Sequence, residues 1–305
     1  LTVRTAPEAW TVPRADEAIA AQFSGIGRLG VAFSGGVDSS LLLALAARCL
    51  GPDAVVALLG VSPSLAADER RAAHAVAREI GVEVVEVITH EGDRAAYRAN
   101  DVDRCFHCKD ELFATISDEV VAGQRLDAVA YGENADDAIR PDRPGARAAS
   151  DHLVLRPLAA IGLTKIDVRL LARELGLSVA EKPAAPCLAS RIPHGQEVTP
   201  EKLRQVELAE TSVRALGFSD LRVRHHGEIA RLELPADDLV RAVTEPLRDQ
   251  VVRAVRGAGF RFVAVDLAGI QSGAFTLSLL TRDHASRDHA PRDHAPRDHA
   301  PRDHD

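Results

Sequence analysis

The chain has 305 residues, 46% of them hydrophobic, which is enough for two domains with cores of their own, and it has no apolar run of about eighteen residues that would read as a membrane helix. With 37 basic against 45 acidic residues the formal charge is −8, a balance that argues against an extended nucleic-acid interface, which needs a net basic face. The opening LTVRTAPEAW is not a basic-then-apolar leader, so a soluble cytoplasmic protein is expected, and its cysteines (Cys49, Cys105, Cys108 and Cys187) read as ligands or nucleophiles before staples.

Residues 1 to 13 read as a loose leader, and Ala15–Phe23 as a helix packed on the first strand. Leu29–Phe33 is that strand, and the apolar helix Asp38–Leu50 follows. Ala54–Val61 predicts a second strand, Leu65–Ile80 a helix, Val82–Thr89 a third strand, His107–Val121 a helix and Asp127–Tyr131 a fourth strand. Such alternation predicts an α/β fold: a parallel sheet with helices on both faces and binding at the carboxyl ends of its strands. Asp136–Gly145, with Pro141 and Pro144, reads as a loop, and His152–Pro157 as a last strand. Thr164–Leu175 predicts a helix opened by a Thr164/Asp167 capping box, and Lys182–Gly195 an irregular stretch. Thr199 and Pro200 open a helix to Leu216, with Gly217 as its stop. Strands Leu221–His225 and Ile229–Leu234, a helix Pro235–Arg256 and a strand Phe260–Leu267 complete a small second α/β domain. The tail repeats Arg-Asp-His-Ala-Pro, can build no core and reads as disordered. Its His284, His289, His294, His299 and His304 suit weak Ni²⁺ or Zn²⁺ capture, against the plainer reading of an inert repeat expansion.

The stretch between the first strand and its helix is Ser34-Gly35-Gly36-Val37-Asp38-Ser39. Two glycines permit a tight turn, hydroxyls and backbone N–H groups converge, and the helix N-terminus adds partial positive charge, which together make a cradle for phosphate. It lacks the Gly-Lys-Ser/Thr ending of a Walker loop. SGGVDS in this setting resembles the PP-loop of the ATP pyrophosphatases, which cut ATP between the α and β phosphates. The resemblance implies that residues 34–39, with Ser62 and Gly132 at neighbouring strand ends, hold ATP, and that Asp38 holds Mg²⁺ at the pyrophosphate.

A second constellation pairs Arg104-Cys105-Phe106-His107-Cys108-Lys109 with Pro186-Cys187-Leu188-Ala189-Ser190-Arg191. Three thiolates could hold three irons of a [4Fe–4S] cluster and leave the fourth open to a ligand such as hydrosulfide. Zinc held with His107 or His194, or a dithiol beside one reactive Cys187, are the alternatives. Lys109 and Arg191 beside the cysteines would favour thiolate. Cys49, on an apolar helix face, reads as core.

RCFHCK, GENADD, RPG (Arg143 to Gly145), LTKIDVRLLARELGL, KPAAPCLASRIPHG, RVRHHG and ARLEL follow SGGVDS in this order. Over about Gly27 to Gly273 the chain resembles the LarE family, ATP-dependent sulfur transferases that build the nickel-pincer nucleotide cofactor of lactate racemase. The resemblance implies a PP-loop ATP-binding domain (27–160) after a leader and N-terminal helix (1–26), a substrate-binding α/β domain (161–281) and the tail (282–305). It implies a pyridinium-3,5-dicarboxylate mononucleotide as substrate, adenylated at a carboxylate and then attacked by sulfur to give a thiocarboxylate. Cys187, Asp38 and Lys109 are the expected catalytic side chains. Ser190, Arg191, Arg222 and Arg224 are candidates for the substrate phosphate, since guanidinium suits that geometry. Glu210 and Glu233 would bind a cation or orient the arginines, and Asp137 and Arg143 would close over the nucleotide. Family members with one cysteine sacrifice its sulfur and end as dehydroalanine; those with three resemble enzymes that carry sulfide on a [4Fe–4S] cluster, and this chain looks like the second kind. Partners implied are nickel-pincer pathway enzymes and further copies of the chain, with no nucleic acid and no membrane. Departures are Arg140-Pro141, which interrupts the Asp137–Arg143 spacing, and His194 where Tyr is common. The rivals are a PP-loop tRNA thiolase, an amide-forming synthetase, which has no need of cysteines, and a non-enzymatic metal carrier, which has no need of SGGVDS.

Overall fold

The computed structural model of the chain describes residues 9–139 and 144–270, and the side chains of all of these but Pro144 and Gly145. Residues 1–8, the Arg140–Arg143 departure and the histidine-bearing tail lie outside the described residues. Through Ile270 the chain forms one unit. No helix among the described residues is long and apolar enough to cross a membrane.

Helix α1 (Val12–Gln22) leads into β1 (Leu29–Ala32), α2 (Val37–Leu50), β2 (Val55–Val61), α3 (Ala67–Ile80) and β3 (Glu83–Ile88). The short α4 (Ala95–Arg98) precedes α5 (Arg104–Thr115), which passes through a π-helical turn at Ile116–Val120 into α6 (Val121–Gln124) and then β4 (Ala128–Tyr131). The four strands pair in parallel, in the order β3-β2-β1-β4. Alternation along β2 explains the layering. Val55, Ala57 and Leu59 face a core shared with α1 and α2, while Val56 and Leu58 face a second core with Phe113 and Ile116. All the loops that follow these strands therefore gather at one edge.

The expected strand over 152–157 is corrected: it shrinks to one bridge, Leu155 beside Ala130. Leu153 takes a positive φ of 54°, and Pro157 starts the turn α9 (Pro157–Ala160), so few residues remain that can extend a ladder. The expected loop over 136–145 is partly helical as well. Asn134 caps the single turn α7 (Ala135–Ala138), and α8 (Pro144–Asp151) begins at Pro144.

Helix α10 (Lys165–Glu174) opens on the full capping box, with Thr164 and Asp167 bonding each other's backbone. Its Val168, Leu171 and Ala172 join the core of the parallel sheet, so the packing of residues 163–180 goes with the first sheet. Helix α11 (Pro200–Arg214) is capped by Thr199. It covers a three-stranded sheet of β5 (Arg222–His226), β6 (Ile229–Glu233) and β7 (Phe262–Val265), antiparallel between β5 and β6 and parallel between β6 and β7. The helix expected from Pro235 to Arg256 is two helices, α12 (Ala236–Val243) and α13 (Leu247–Gly257). Pro246 breaks it, because proline lacks the N–H a helix interior needs and bars its predecessor from the helical region.

Candidate active site

The turn from β1 to α2 is shaped by sterics. Gly35 has φ +67°, and a Cβ there would lie 2.9 Å from Cα of Ala73 on α3. Gly132, at the end of β4, fits equally closely: its Cβ would stand 2.6 Å from the backbone N of Ser39. Oγ of Ser39 donates to the carbonyl of Gly36 at 3.1 Å and accepts from the backbone N–H of Ser34 at 3.3 Å. The N–H groups of Val37, Asp38 and Ser39 open the helix and have no intrahelical acceptor, which leaves them for an anion. Asp38 is held on both oxygens, Oδ1 by the amide of Asn134 at 3.1 Å and Oδ2 by the ammonium of Lys165. Asp137 serves Asn134, receiving its Nδ2 at 2.9 Å. The Ser62 hydroxyl donates to Glu91 at 2.5 Å, and the other oxygen of that buried carboxylate has no partner among the described residues.

Next to this turn lies a cavity of about 580 Å³. Ser34, Cys187, Arg191, Glu210, Arg214 and Arg222 all line it. Its guanidinium groups are set by buried carboxylates. Glu210, 1% exposed, receives Nε of Arg191 at 2.9 Å, Arg214 at 2.8 Å and the backbone N–H of Val223 at 3.0 Å. Glu233, fully buried, holds Arg224 through two bonds, at 2.9 and 2.8 Å. Of the two expected roles for Glu210 and Glu233, holding a cation or orienting the arginines, the pairings seen here are of the second kind. Arg191 also donates to the Ser190 hydroxyl at 3.0 Å and to the Pro186 carbonyl at 2.6 Å, and Arg224 to the Ser190 carbonyl at 2.8 Å, so PCLASR is strapped to β5. Arg222 is buried, and its pKa is lowered first by burial and then by the positive charges of Arg191 and Arg224. A buried cation pressed by other cations is what an anion would relieve.

Cys105 and Cys108 are one helical turn apart on α5, so they share a face. Arg104 of the same turn is buried and donates to the carbonyl of Ala189 at 2.9 Å, which joins α5 to the turn after Cys187. Burial works most strongly against the charge of Arg104, but Cys187, Cys105 and Tyr97 together outweigh it, and its pKa is raised. The Cys108 thiol is pushed well up, first by burial and then by Glu91, Cys187 and Cys105. The expectation that neighbouring cations turn this cysteine into a thiolate is thus corrected. The ammonium of Lys109 lies over the ring of Tyr131, 4.5 Å from the centroid. No three His, Cys, Asp or Glu side chains among the described residues stand as a metal-ligating group. The two candidate zinc histidines have other neighbours, His107 the carboxylate of Asp103 at 3.2 Å and His194 the carbonyl of Asn100 at 3.1 Å. Cys49 packs against the first core as expected.

Sequence reasoning missed Lys165, Arg104, Glu91 and Arg214, and gave Asn134 a place at a strand end but no role. Lys165, Arg104 and Asn134 were in view inside quoted motifs, and it is their partners, distant in sequence, that give them meaning.

A domain profile described as asparagine synthase matches residues 14–122. The chain is 40% identical to an uncharacterised protein of Synechocystis over 82% of its own length and 92% of the relative's. It is 36% identical over 250 residues to the pyridinium-3,5-bisthiocarboxylic acid mononucleotide synthase of Lactiplantibacillus plantarum, covering 81% of this chain and 88% of that one. The chain belongs to the LarE family. It is an ATP-dependent, sulfur-transferring enzyme on a PP-loop fold, and the family's chemistry belongs to nickel-pincer cofactor biosynthesis. An uncharacterised protein of Methanocaldococcus jannaschii is 29% identical over 55% of the chain.

Proposed function

We propose that this LarE-family enzyme adenylates the carboxylates of a pyridinium-3,5-dicarboxylate mononucleotide and converts them to thiocarboxylates. The observation that carries this reading is the single cavity lined by PP-loop Ser34, by Cys187 and by Arg191 and Arg222. ATP lies with its phosphates on the turn of residues 34–39. A substrate carboxylate oxygen attacks the α phosphorus, and pyrophosphate leaves with the bond's electron pair. A sulfur nucleophile then attacks the acyl carbon, and AMP leaves with the carbon–oxygen pair. Arg222, beside Arg191 and Arg224, receives the substrate phosphate, while Glu210 and Glu233 keep the guanidinium planes in place. Asp38 suits Mg²⁺, which prefers one or two carboxylates plus phosphate oxygens and would offset charge on the leaving pyrophosphate. A [4Fe–4S] cluster would supply exchangeable sulfide; Cys105, Cys108 and Cys187, which do not stand as a ligating group here, would have to draw together to hold it, with the buried Arg104 beside them to offset its charge. Arg104 then holds the cysteine helix against residue 189 and balances charge.

The test is anaerobic purification with an iron count, followed by reaction with the mononucleotide, ATP and sulfide. AMP, pyrophosphate and thiocarboxylate are expected in step, with about four irons per chain. ADP as product would overturn the reading. A second reading is favoured by one fact: of Cys105, Cys108 and Cys187, Cys187 alone lines the cavity. There the sulfur of Cys187 is itself spent. An iron-free, active protein in which Cys187 loses about 34 Da, the mass of hydrogen sulfide, would establish it.

A further inference from the structure

Lys165 and Asp38 are 127 residues apart in sequence and form an ion pair at the PP-loop. Nothing in the position of Lys165 is loose except its side chain. It is the first residue of α10, follows the cap Thr164, and donates its backbone N–H to Asp136 at 2.7 Å. Its side chain is 40% exposed. Asp38, one residue into α2, has its other oxygen on Asn134, which is buried and fixed as the cap of α7. A cation bound to phosphate that meets Asp38 stands close to the ammonium already on Oδ2, and like charges at that range repel, so Lys165 is the partner displaced. The Asn134 amide is buried and bonded to Asp137 at both ends, whereas the ammonium of Lys165 sits on a flexible, part-exposed four-carbon stem.

We propose that Lys165 is a catalytic residue of adenylation, resting on Asp38 in the free enzyme and moving onto the pyrophosphate half of ATP when nucleotide binds. This rests on the adenylating reading above. As the bond from the α phosphorus to its bridging oxygen breaks, the electron pair goes to pyrophosphate, and negative charge grows where the ammonium now stands. Lys165 gives up no proton; it supplies a whole positive charge where the α2 N-terminus supplies part of one. The ion pair with Asp38 keeps that charge at the loop while the site is empty and lets it go when a metal-bound phosphate competes for the carboxylate.

Calorimetry with the full chain tests this, using magnesium pyrophosphate and AMP as separate probes. Lys165→Met should weaken pyrophosphate binding by about tenfold or more, because a charge-assisted hydrogen bond is lost, and leave AMP within about twofold. Substrate-dependent pyrophosphate release should fall about 100-fold in the same variant. Lys165→Arg should keep most of the pyrophosphate affinity. Unchanged pyrophosphate binding in Lys165→Met would overturn the proposal, and so would equal losses for pyrophosphate and AMP, which mark a structural role. If circular dichroism shows that the Met variant is unfolded, Lys165→Gln is measured in the same way. A wild-type protein that binds neither ATP nor pyrophosphate would instead sink the adenylating reading beneath it.

Discussion

Arg222 and Arg224 face the same side of β5 and meet opposite circumstances. Arg224 is matched by Glu233 through two bonds, whereas for Arg222 burial and the cations of Arg191 and Arg224 outweigh the support of Glu233 and Asp220. Arg224→Met would take from the fully buried Glu233 its two-bond partner and leave Arg231, at 3.3 Å, as its ion pair among the described residues. It should cost about 3–5 kcal/mol in denaturant unfolding, as breaking a buried pair does. Arg222→Met should leave unfolding unchanged or harder, yet raise KM for the mononucleotide at least about tenfold through loss of a charged hydrogen bond to phosphate. The thiols divide in the same way. Burial first, then Glu91, pushes Cys108 up, and burial pushes up Cys49. A raised thiol pKa means that thiolate appears only at higher pH. In metal-free protein at pH 8, iodoacetamide should label the exposed Cys105 and Cys187 first. Labelling of Cys108 should climb as pH rises, and peptide mass mapping reads the order.

The elements were legible where one local rule decided them. Thr164 with Asp167, and Thr199 with Pro200, mark their helices as strongly in the fold as in the sequence. The run through Pro246 was misread although proline itself was the signal, because the apolar spacing on either side kept helical phase. Residues 152–157 read as a strand because Leu153-Val154-Leu155 is a short apolar run, but a positive φ at Leu153 cannot be read from a leucine. In the site, the phosphate cradle was visible as a motif, while the pairings Lys165–Asp38 and Glu233–Arg224 needed coordinates. The packing of β4 against α2 brings its own prediction. Gly132→Ala would force its methyl against the backbone of Ser39 and push the strand end off the helix. A loss of about 1–3 kcal/mol is expected, as for other overpacked sites, together with weaker ATP binding in calorimetry.

Across the whole molecule the charge is −8, and in the cavity Lys182, Arg191, Arg214 and Arg222 are balanced by Asp68, Glu69, Glu210 and Asp220, so the guanidinium groups act one by one and form no basic surface. A small anion is drawn in locally while a long polyanion meets an acidic exterior. Filter binding with bulk tRNA at moderate salt should therefore retain nothing, and tight retention would move the reading toward a tRNA thiolase. One helix also ties the nucleotide turn to the cavity wall. The middle of α3 touches Gly35 through Ala73, and its first turn presents Asp68 and Glu69, the latter joined to Lys182 at 2.7 Å. Ala73 is buried and does not line the cavity, but a larger residue there would lift the helix from the loop and carry the wall with it. A saturation library selected for sulfur transfer should therefore return only alanine, glycine and serine at 73, so that a site with no chemistry of its own is among the least free to drift.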